Sequence, residues 1–342
     1  MGNCQHLLQP RPLPALVSFV IPVYNEEEML PLLVERLQTV MGQLPTRSEV
    51  ILVNDGSSDS TLVKLRDITV RDRRFKGISL ARNFGHQIAA TAGLDAAQGD
   101  AVVLIDADLQ DPPELVVDML AEYQNGYDVI YAQRVRREGE TLFKRCTAWL
   151  FYRVMRTLVY KDLPPDVGDF RMMSRPCLDA LNSMRETHRF LRGMVSWVGF
   201  AQTSVPFVRQ RRAAGETKYP LSRMLKFAWT AAISFSPVPL RMSFVFGAVL
   251  FGVGLVYSVY AIARLFLGLH LVPGWTSLIV MNLLTAGAIM IAIGVLGEYV
   301  ARIFEEIKDR PLYTVAHHFN CGSNEDESAP EAVPHRSASN AP

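Results

Sequence analysis

The chain has only four cysteines in 342 residues, and no two of them stand in a C-x-x-C pair. Cys4, Cys146, Cys177 and Cys321 are too scattered for a zinc cage or a disulfide scaffold, and a reducing compartment suits them. Charge of one sign is not in excess either: 35 Lys and Arg stand against 34 Asp and Glu, a formal net charge of +1. That balance argues neither for nor against a polyanion, and nucleic acid is not among the partners expected. The first 14 residues are polar and proline-rich with no apolar run, so no cleaved secretory signal is expected. Met1-Gly2-Asn3-Cys4 has an acylation-like start, yet His6 stands where the myristoylation pattern requires Ser or Thr. Residues 1–15 read as a disordered tail, as do the Ser/Ala/Pro-rich residues 321–342.

Apolar residues, by contrast, make up 49% of the chain and gather towards its C-terminal part. Ahead of that region, strand and helix patterns alternate. Leu16 to Ile21 reads as a buried strand closed by Pro22, and Asn25 as the N-cap of a helix to about Met41 with Leu30, Leu33, Val34 and Leu37 on one face. Further strands are expected near 49–53, 77–80, 102–105 and 128–133, with helices between them. Continuous rather than alternating apolar strands predict an α/β domain on a mostly parallel sheet, placed at residues 16–220. Ligands of such sheets gather at the carboxyl ends of the strands. Three polar clusters fall there: Pro22 to Glu26, Asp55 to Asp59, and Asp106 to Gln110.

The third cluster carries the sharpest chemistry. Asp106 and Asp108 follow an apolar strand at the point where the chain turns, so both carboxylates can reach one hard cation, and oxygen ligands suit Mg2+ or Mn2+. A solvated acidic turn explains D-x-D alone equally well, since Asp and Pro are common turn formers. Asp169 and Arg171 lie two apart, a spacing that most often marks a structural ion pair. The stretch Val208 to Tyr219 is basic, with Arg209, Arg211, Arg212 and Lys218.

Residues 242–267 and 276–297 are each apolar enough, and long enough at about 1.5 Å per residue, to cross about 30 Å of hydrocarbon. A pair of buried core helices is the bland alternative. Arg241 precedes the first stretch, and Arg302, Lys308 and Arg310 follow the second, which places both termini and the α/β domain on the cytoplasmic side. Residues 221–241 read as an amphipathic segment lying in the interface, and residues 298–320 as a cytoplasmic segment after the membrane. Metal-binding carboxylates, a second acidic turn and a basic patch beside the membrane suggest a nucleotide-diphosphate donor meeting an anionic lipid acceptor.

Six motifs in order, Val20-Ile21-Pro22-Val23-Tyr24-Asn25-Glu26, Val53-Asn54-Asp55-Gly56-Ser57-Ser58-Asp59, Arg82-Asn83-Phe84-Gly85, Asp106 to Glu114, Gly168-Asp169-Phe170-Arg171 and Gly215-Glu216-Thr217-Lys218, resemble the family 2 glycosyltransferases that load a sugar onto a polyprenyl phosphate. The bactoprenol glucosyltransferase branch, with two C-terminal spans, is the most similar; dolichol-phosphate mannosyltransferases are related. The resemblance covers roughly residues 17–310. It implies a GT-A fold, a UDP-sugar donor, undecaprenyl phosphate as acceptor, a divalent metal, inversion at the anomeric carbon, the bacterial inner membrane as location, a role in cell-envelope glycans, and a homo-oligomer, by resemblance a tetramer. By the same resemblance Pro22, Tyr24, Glu26 and Asp55 line the nucleotide pocket, and Asp106, Asp108 and Gln110 hold metal and diphosphate. Arg134, Arg171, Arg212 and Lys218 match phosphate-binding positions. Asp169 matches the position proposed as catalytic base in the bactoprenol branch. Physical chemistry weighs against a need for that base, because a phosphate monoester with a second pKa near 6 is already largely dianionic at neutral pH.

Glucose is the first choice of sugar, with GlcNAc, galactose, mannose from GDP-mannose or an aminoarabinose derivative as alternatives. A transport subunit is a poorer reading, since two spans without an intramembrane acid make a poor pathway. A processive polysaccharide synthase is expected to carry a Gln-x-x-Arg-Trp-type cluster, and Arg189 to Trp197 does not follow that pattern.

Overall fold

The structure, a computed structural model, describes residues 8–136, 167–208, 238–267 and 274–321. These residues divide into two compact units, 8–136, 167–208 and 310–321 in the first and 238–267 and 274–309 in the second.

The first unit is built on one eight-stranded sheet. Strands β1 (Leu16–Val23), β2 (Arg47–Asn54), β3 (Phe75–Leu80) and β4 (Ala101–Leu104) run parallel in the order β4-β1-β2-β3. Beyond β4 come β6 (Val167–Ser174), β5 (Val129–Arg136) and β7 (Gln202–Val208), while β8 (Val315–Phe319) edges the sheet beside β3. The mostly parallel sheet expected from the sequence is present; β6 runs antiparallel to both its neighbours, and β8 antiparallel to β3.

Helices cover both faces, which is why the strands read as unbroken apolar runs. Phe19 and Ile21 of β1 join one core with Leu30, Leu33 and Leu37 of helix α1 (Met29–Gln43) and Met119 of α4 (Val116–Gln124). Val20, pointing the other way, joins a second core with Ala89, Ala90 and Leu94 of α3 (His86–Ala96) and Leu178 of α5 (Arg175–Ser183). Full burial of one such leucine contributes about 2 kcal/mol. Small residues let α3 lie close on the sheet: a Cβ at Gly93 would run into Val20 and Val53. Two more helices, α2 (Thr61–Arg71) and α6 (Leu191–Val198), complete this unit.

Several local expectations give way to other physics. Asn25 does not cap α1, whose N-cap position is Glu28; it sits at φ +53, a left-handed value Asn tolerates, and binds the neighbouring loop instead. Pro22 is inside β1 rather than beyond it, but lies past the last β1–β4 pair, Val20 with Leu104, where no ladder partner needs its missing N–H. The N-terminal segment read as a tail is tied down from Arg11, which donates to Tyr123 O and Asp128 Oδ1 and stacks 3.9 Å from the Tyr123 ring centroid.

Helices α5 and α6 and the strands β7 and β8 were not anticipated. β8 is short and polar, and its pairing partner is far away in sequence, so nothing local announces it. The segment carrying it is tied to the rest of the first unit at several points: Ala81 N donates to Thr314 O at 2.9 Å, and the buried Tyr313 hydroxyl donates to Asp95 Oδ2 at 2.8 Å, beside the Arg185–Asp95 ion pair. Burial, then the Asp95 carboxylate, pushes the Tyr313 phenol well above its ordinary value. A raised folded-state pKa means stability that is whole below the ordinary tyrosine range near 10 and lost as pH climbs towards the folded value. Tyr313→Phe is therefore expected to lower stability by about 1 kcal/mol at neutral pH and to flatten the alkaline part of a melting-temperature profile.

The second unit holds α7 (Val238–Phe266, 29 residues) and α8 (Trp275–Ile307, 33 residues). Among the described residues one segment, Thr285–Ile307, is long and apolar enough to cross a membrane; within α7 the apolar stretch Val245–Tyr257 is shorter. The expected spans at 242–267 and 276–297 fall on these two helices, but α8 continues to Ile307, with Glu298 and Arg302 pairing one turn apart at 3.5 Å. The segment read as interfacial lies outside the described residues up to residue 237.

Candidate active site

Four strand ends converge on the site. The loops after β1 and β2 are stapled together: Asn25 N donates to Ser57 Oγ at 3.0 Å, Ser58 N to Asn25 Oδ1 at 2.9 Å, and Glu26 N to Thr61 Oγ1 at 3.0 Å. Tyr24 stands half-exposed just past the end of β1, and Pro22, within β1, is buried. Asp55, at the end of β2, is buried, and its two oxygens accept Phe84 N at 2.7 Å and Gly85 N at 2.9 Å. Burial raises its pKa against the pull of those amides, His86 and Arg82. Asp55 thus fixes the loop that delivers α3, a task the sequence did not announce beside the nucleotide contact expected of it.

Gly56 follows at φ +64, and a Cβ there would collide with the backbone of Arg82 and Asn83. Gly56→Val is expected to cost about 3 kcal/mol, from the strained φ and the forced separation of two site loops, read as a fall in melting temperature.

The acid loop follows β4. Leu109, in its middle, has φ +53, costly for a branched side chain and held by its surroundings. Asp108 Oδ1 accepts Gln110 N at 3.1 Å, Gln110 and Asp111 are buried, and Glu114 ties the loop's exit to α1 through a two-pronged pair with Arg36 at 2.7 and 2.9 Å. Asp106 Oδ1 is buried without a hydrogen bond. Burial, and then the Asp169, Asp108 and Asp111 carboxylates, push the Asp106 pKa up to about 6, with His86 opposing.

The antiparallel β4–β6 register supplies the fourth wall. Leu104 pairs with Arg171, and carrying that register two residues on sets Asp106 level with Asp169. His86 Nε2, on the first turn of α3, stands between them, 3.3 Å from Asp106 Oδ1 and 3.6 Å from Asp169 Oδ2. Asp169 is buried and clasped by Arg192, whose Nε and Nη2 donate at 2.7 and 3.1 Å. Burial opposes its charge, but His86, Arg192 and Arg171 hold its carboxyl far below the usual range. For His86 the same burial is outweighed by Asp169 and Asp106, and its pKa is raised.

Of the residues expected at the site, Asp106, Asp108, Gln110, Asp55, Tyr24, Glu26 and Pro22 all lie at neighbouring strand ends. Arg171 is placed differently from a phosphate ligand: buried in β6, it donates to Asp169 O at 3.2 Å and Gly168 O at 3.1 Å and lies 3.7 Å from Asp169 Oδ1, and burial brings its pKa down to about 10. Arg134 is on β5, where its backbone pairs with Phe207. Arg212 and Lys218 lie outside the described residues. His86, Gln87 and Arg192 are the residues sequence reasoning missed. His86 directly follows the quoted Arg82-Asn83-Phe84-Gly85 motif, whereas nothing in the sequence links Arg192 to Asp169.

His86, Asp106 and Asp169 offer ligand atoms within 4.8 Å of one another. A divalent cation fits this corner: an imidazole and carboxylates suit Mn2+ or Mg2+, and the buried, unbonded Asp106 oxygen is the acceptor such an ion would satisfy.

Comparison with known proteins finds relatives for this chain. Residues 18–181 match the family described as Glycosyl transferase family 2. The chain is 47% identical over 298 residues to an uncharacterized glycosyltransferase of Bacillus subtilis, YkcC, covering 87% of this chain and 92% of the relative. It is 37% identical over 299 residues to the prophage bactoprenol glucosyl transferase homolog of Escherichia coli, covering 87% and 98%. Among solved structures, the glucosyl-3-phosphoglycerate synthase of Mycobacterium tuberculosis, in complex with Mn2+, UDP and glucosyl-3-phosphoglycerate, is 22% identical with a TM-score of 0.43, covering 64% of this chain and 78% of that one.

Proposed function

The chain belongs to glycosyl transferase family 2, and from that premise we propose that it is an inverting enzyme moving a sugar, glucose first, from a UDP-sugar to undecaprenyl phosphate at the cytoplasmic face of a bacterial membrane. The observation that carries this reading is the reach of the likeness: it covers 98% of the bactoprenol glucosyl transferase homolog, so it takes in the helical unit as well as the sheet.

Connectivity supports two spans. The chain leaves the sheet after β7 and returns to it in β8, with α7 and α8 between. A folded sheet cannot straddle a bilayer. Crossings between those strands must therefore be even in number, and if α8 crosses, α7 is the segment able to bring the chain back. With two crossings, both ends of the helical unit lie on one side of the membrane, and Arg241 near the start of α7 with Lys308 and Arg310 after α8 mark that side as cytoplasmic by the positive-inside rule.

In the reaction the bond between the anomeric carbon and the donor diphosphate breaks, and a phosphate oxygen of the acceptor bonds to that carbon from the opposite face. The dianionic acceptor has no proton to lose. Tyr24, Glu26 and Asp55 would line the nucleotide pocket. Asp106, Asp108 and Gln110, with His86 beside Asp106, would hold the divalent cation, which when bound supplies Lewis-acid neutralisation of the leaving diphosphate. Asp169 keeps its charge and organises the cations around it. Incubating the purified full chain with undecaprenyl phosphate and a panel of UDP- and GDP-sugars, then weighing the lipid, tests this. A hexosyl adduct from UDP-glucose is expected; no adduct from any donor overturns the reading.

A further inference from the structure

The β4–β6 ladder places Asp106 and Asp169, because the two strands are locked together by their register. Helix α6, which carries Arg192, belongs to no ladder, and its own sequence secures its start poorly. Phe190 stands at the N-cap position, and its side chain has no acceptor for the helix's first N–H groups. Gln87 of α3 supplies one from 104 positions earlier in the chain. Its Oε1 accepts Leu191 N at 3.0 Å, one residue before Arg192.

That bond also settles how the Gln87 carboxamide is turned. A backbone N–H only donates, so the oxygen faces Leu191 and the NH2 group faces the other way. There it meets Asp169 Oδ2 at 3.5 Å, the same oxygen that accepts Arg192 Nη2 at 3.1 Å. One side chain thus spans the buried acid and the helix that carries the acid's guanidinium partner. The backbone behind it is well anchored: Asp55 holds Phe84 N and Gly85 N just ahead of α3, and Gly93 lets the helix lie close on β1 and β2. His86, the residue before Gln87, reaches Asp106 and Asp169. The first turn of α3 therefore organises Asp169 through two adjacent side chains, one a cation when protonated and the other neutral.

A carboxamide carries no charge at any working pH and cannot stand in for a cation, so what it contributes to a phosphate-dependent transfer is geometry. We propose that Gln87 is a positioning residue for sugar transfer, fixing α6 against Asp169 so that the Asp169–Arg192 pair is assembled before the substrates bind. This rests on the reading of the cluster as the centre of sugar transfer and adds the residue that keeps it in register. Misplacement of an orienting group by about 1 Å costs up to about 100-fold in rate. Because His86, Arg192 and Arg171 also hold Asp169, loss of the Gln87 contact leaves part of that alignment and part of the rate.

Gln87→Glu separates the two bonds. The introduced carboxylate still accepts Leu191 N, and an acid is favoured at a helix start, but it repels Asp169 instead of donating to it. The test uses the full chain in detergent with UDP-glucose, Mn2+ and undecaprenyl phosphate, and calorimetric binding of UDP with Mn2+ reports on the donor side and on folding. Expected is a kcat about 10-fold lower, with the KM for UDP-glucose and the affinity for UDP within about twofold of wild type. Made on top of Asp169→Asn, the same substitution is expected to cost less than about twofold, since the acid it disturbs is gone. A wild-type kcat in Gln87→Glu overturns the proposal and leaves Gln87 as a cap for α6 alone. So does an equal loss with and without Asp169, which is what a merely structural role gives, or a donor KM that rises as far as kcat falls. If Gln87→Glu no longer binds UDP, Gln87→Met, which keeps the length without the amide, decides by the same criteria. A wild type that glycosylates no lipid phosphate overturns the functional reading and this proposal together, whereas an active wild type with an insensitive Gln87→Glu overturns this proposal alone.

Discussion

Asp108→Ala is expected to reduce sugar transfer by at least about 1000-fold while leaving the fold intact. The magnitude follows from what the acid loop would do. A divalent ion that takes up charge on a leaving diphosphate lowers the barrier by several kcal/mol, and about 4 kcal/mol is already a factor of about 1000. The fold is expected to be spared because Asp108 is only partly buried and the amide it accepts, Gln110 N at 3.1 Å, lies inside its own loop. Asp106 is less clean as a target. Its carboxyl sits beside His86 and Asp169, and removing it would disturb three charges at once. The checks are the steady-state rate with UDP-glucose and undecaprenyl phosphate, a melting curve, and the metal dependence of UDP binding. Chelation of wild type should reproduce the variant. Retention of more than a tenth of the activity by Asp108→Ala would mean that the acids after β4 are a structural turn.

The sheet and the acid loop were legible in the sequence for a common reason: their signals are local. Unbroken runs such as Val50 to Val53 announce strands buried on both faces, and Asp106 and Asp108 sit where such a run ends. What the sequence hid depends on partners remote in sequence. β8 owes its strand state to pairing with β3, and Arg192 owes its meaning to a carboxylate 23 residues earlier in a different element. His86 was hidden for another reason, since a lone histidine after a glycine carries no periodic signature, and only the delivery of α3 by Asp55 brings it to the acids. The β4–β6 register was the accessible clue: an antiparallel partner for the strand ending at Leu104 places Asp169 level with Asp106, a juxtaposition that separation in sequence conceals. Arg171 shows the converse. Its motif position suggested a phosphate ligand, but a side chain on the same strand as Asp169 and buried beside it is placed to neutralise that acid.

Asp169→Asn is expected to lose about 100-fold in rate and yet to keep a measurable activity whose pH profile has the shape of the wild type's. A base must have a pKa not far below that of the group it deprotonates. Asp169 is held far below the usual carboxylate range, with His86 on one side and Arg192 on the other, so taking a proton from a phosphate whose second pKa is near 6 would run steeply uphill. The loss expected comes instead from the cations. Asparagine keeps the shape but removes the charge that orients Arg192 and compensates the buried Arg171, and misaligned cations cost rate without abolishing it. The remaining rate should climb with pH through about 6 and level off, because the ionisation that matters is the acceptor's own and is the same for both proteins. Measurement of transfer from pH 5 to 8 at saturating donor, with UDP binding as the control for folding, decides between the roles. A variant that binds UDP with Mn2+ normally but has no detectable rate at any pH would restore Asp169 as the base.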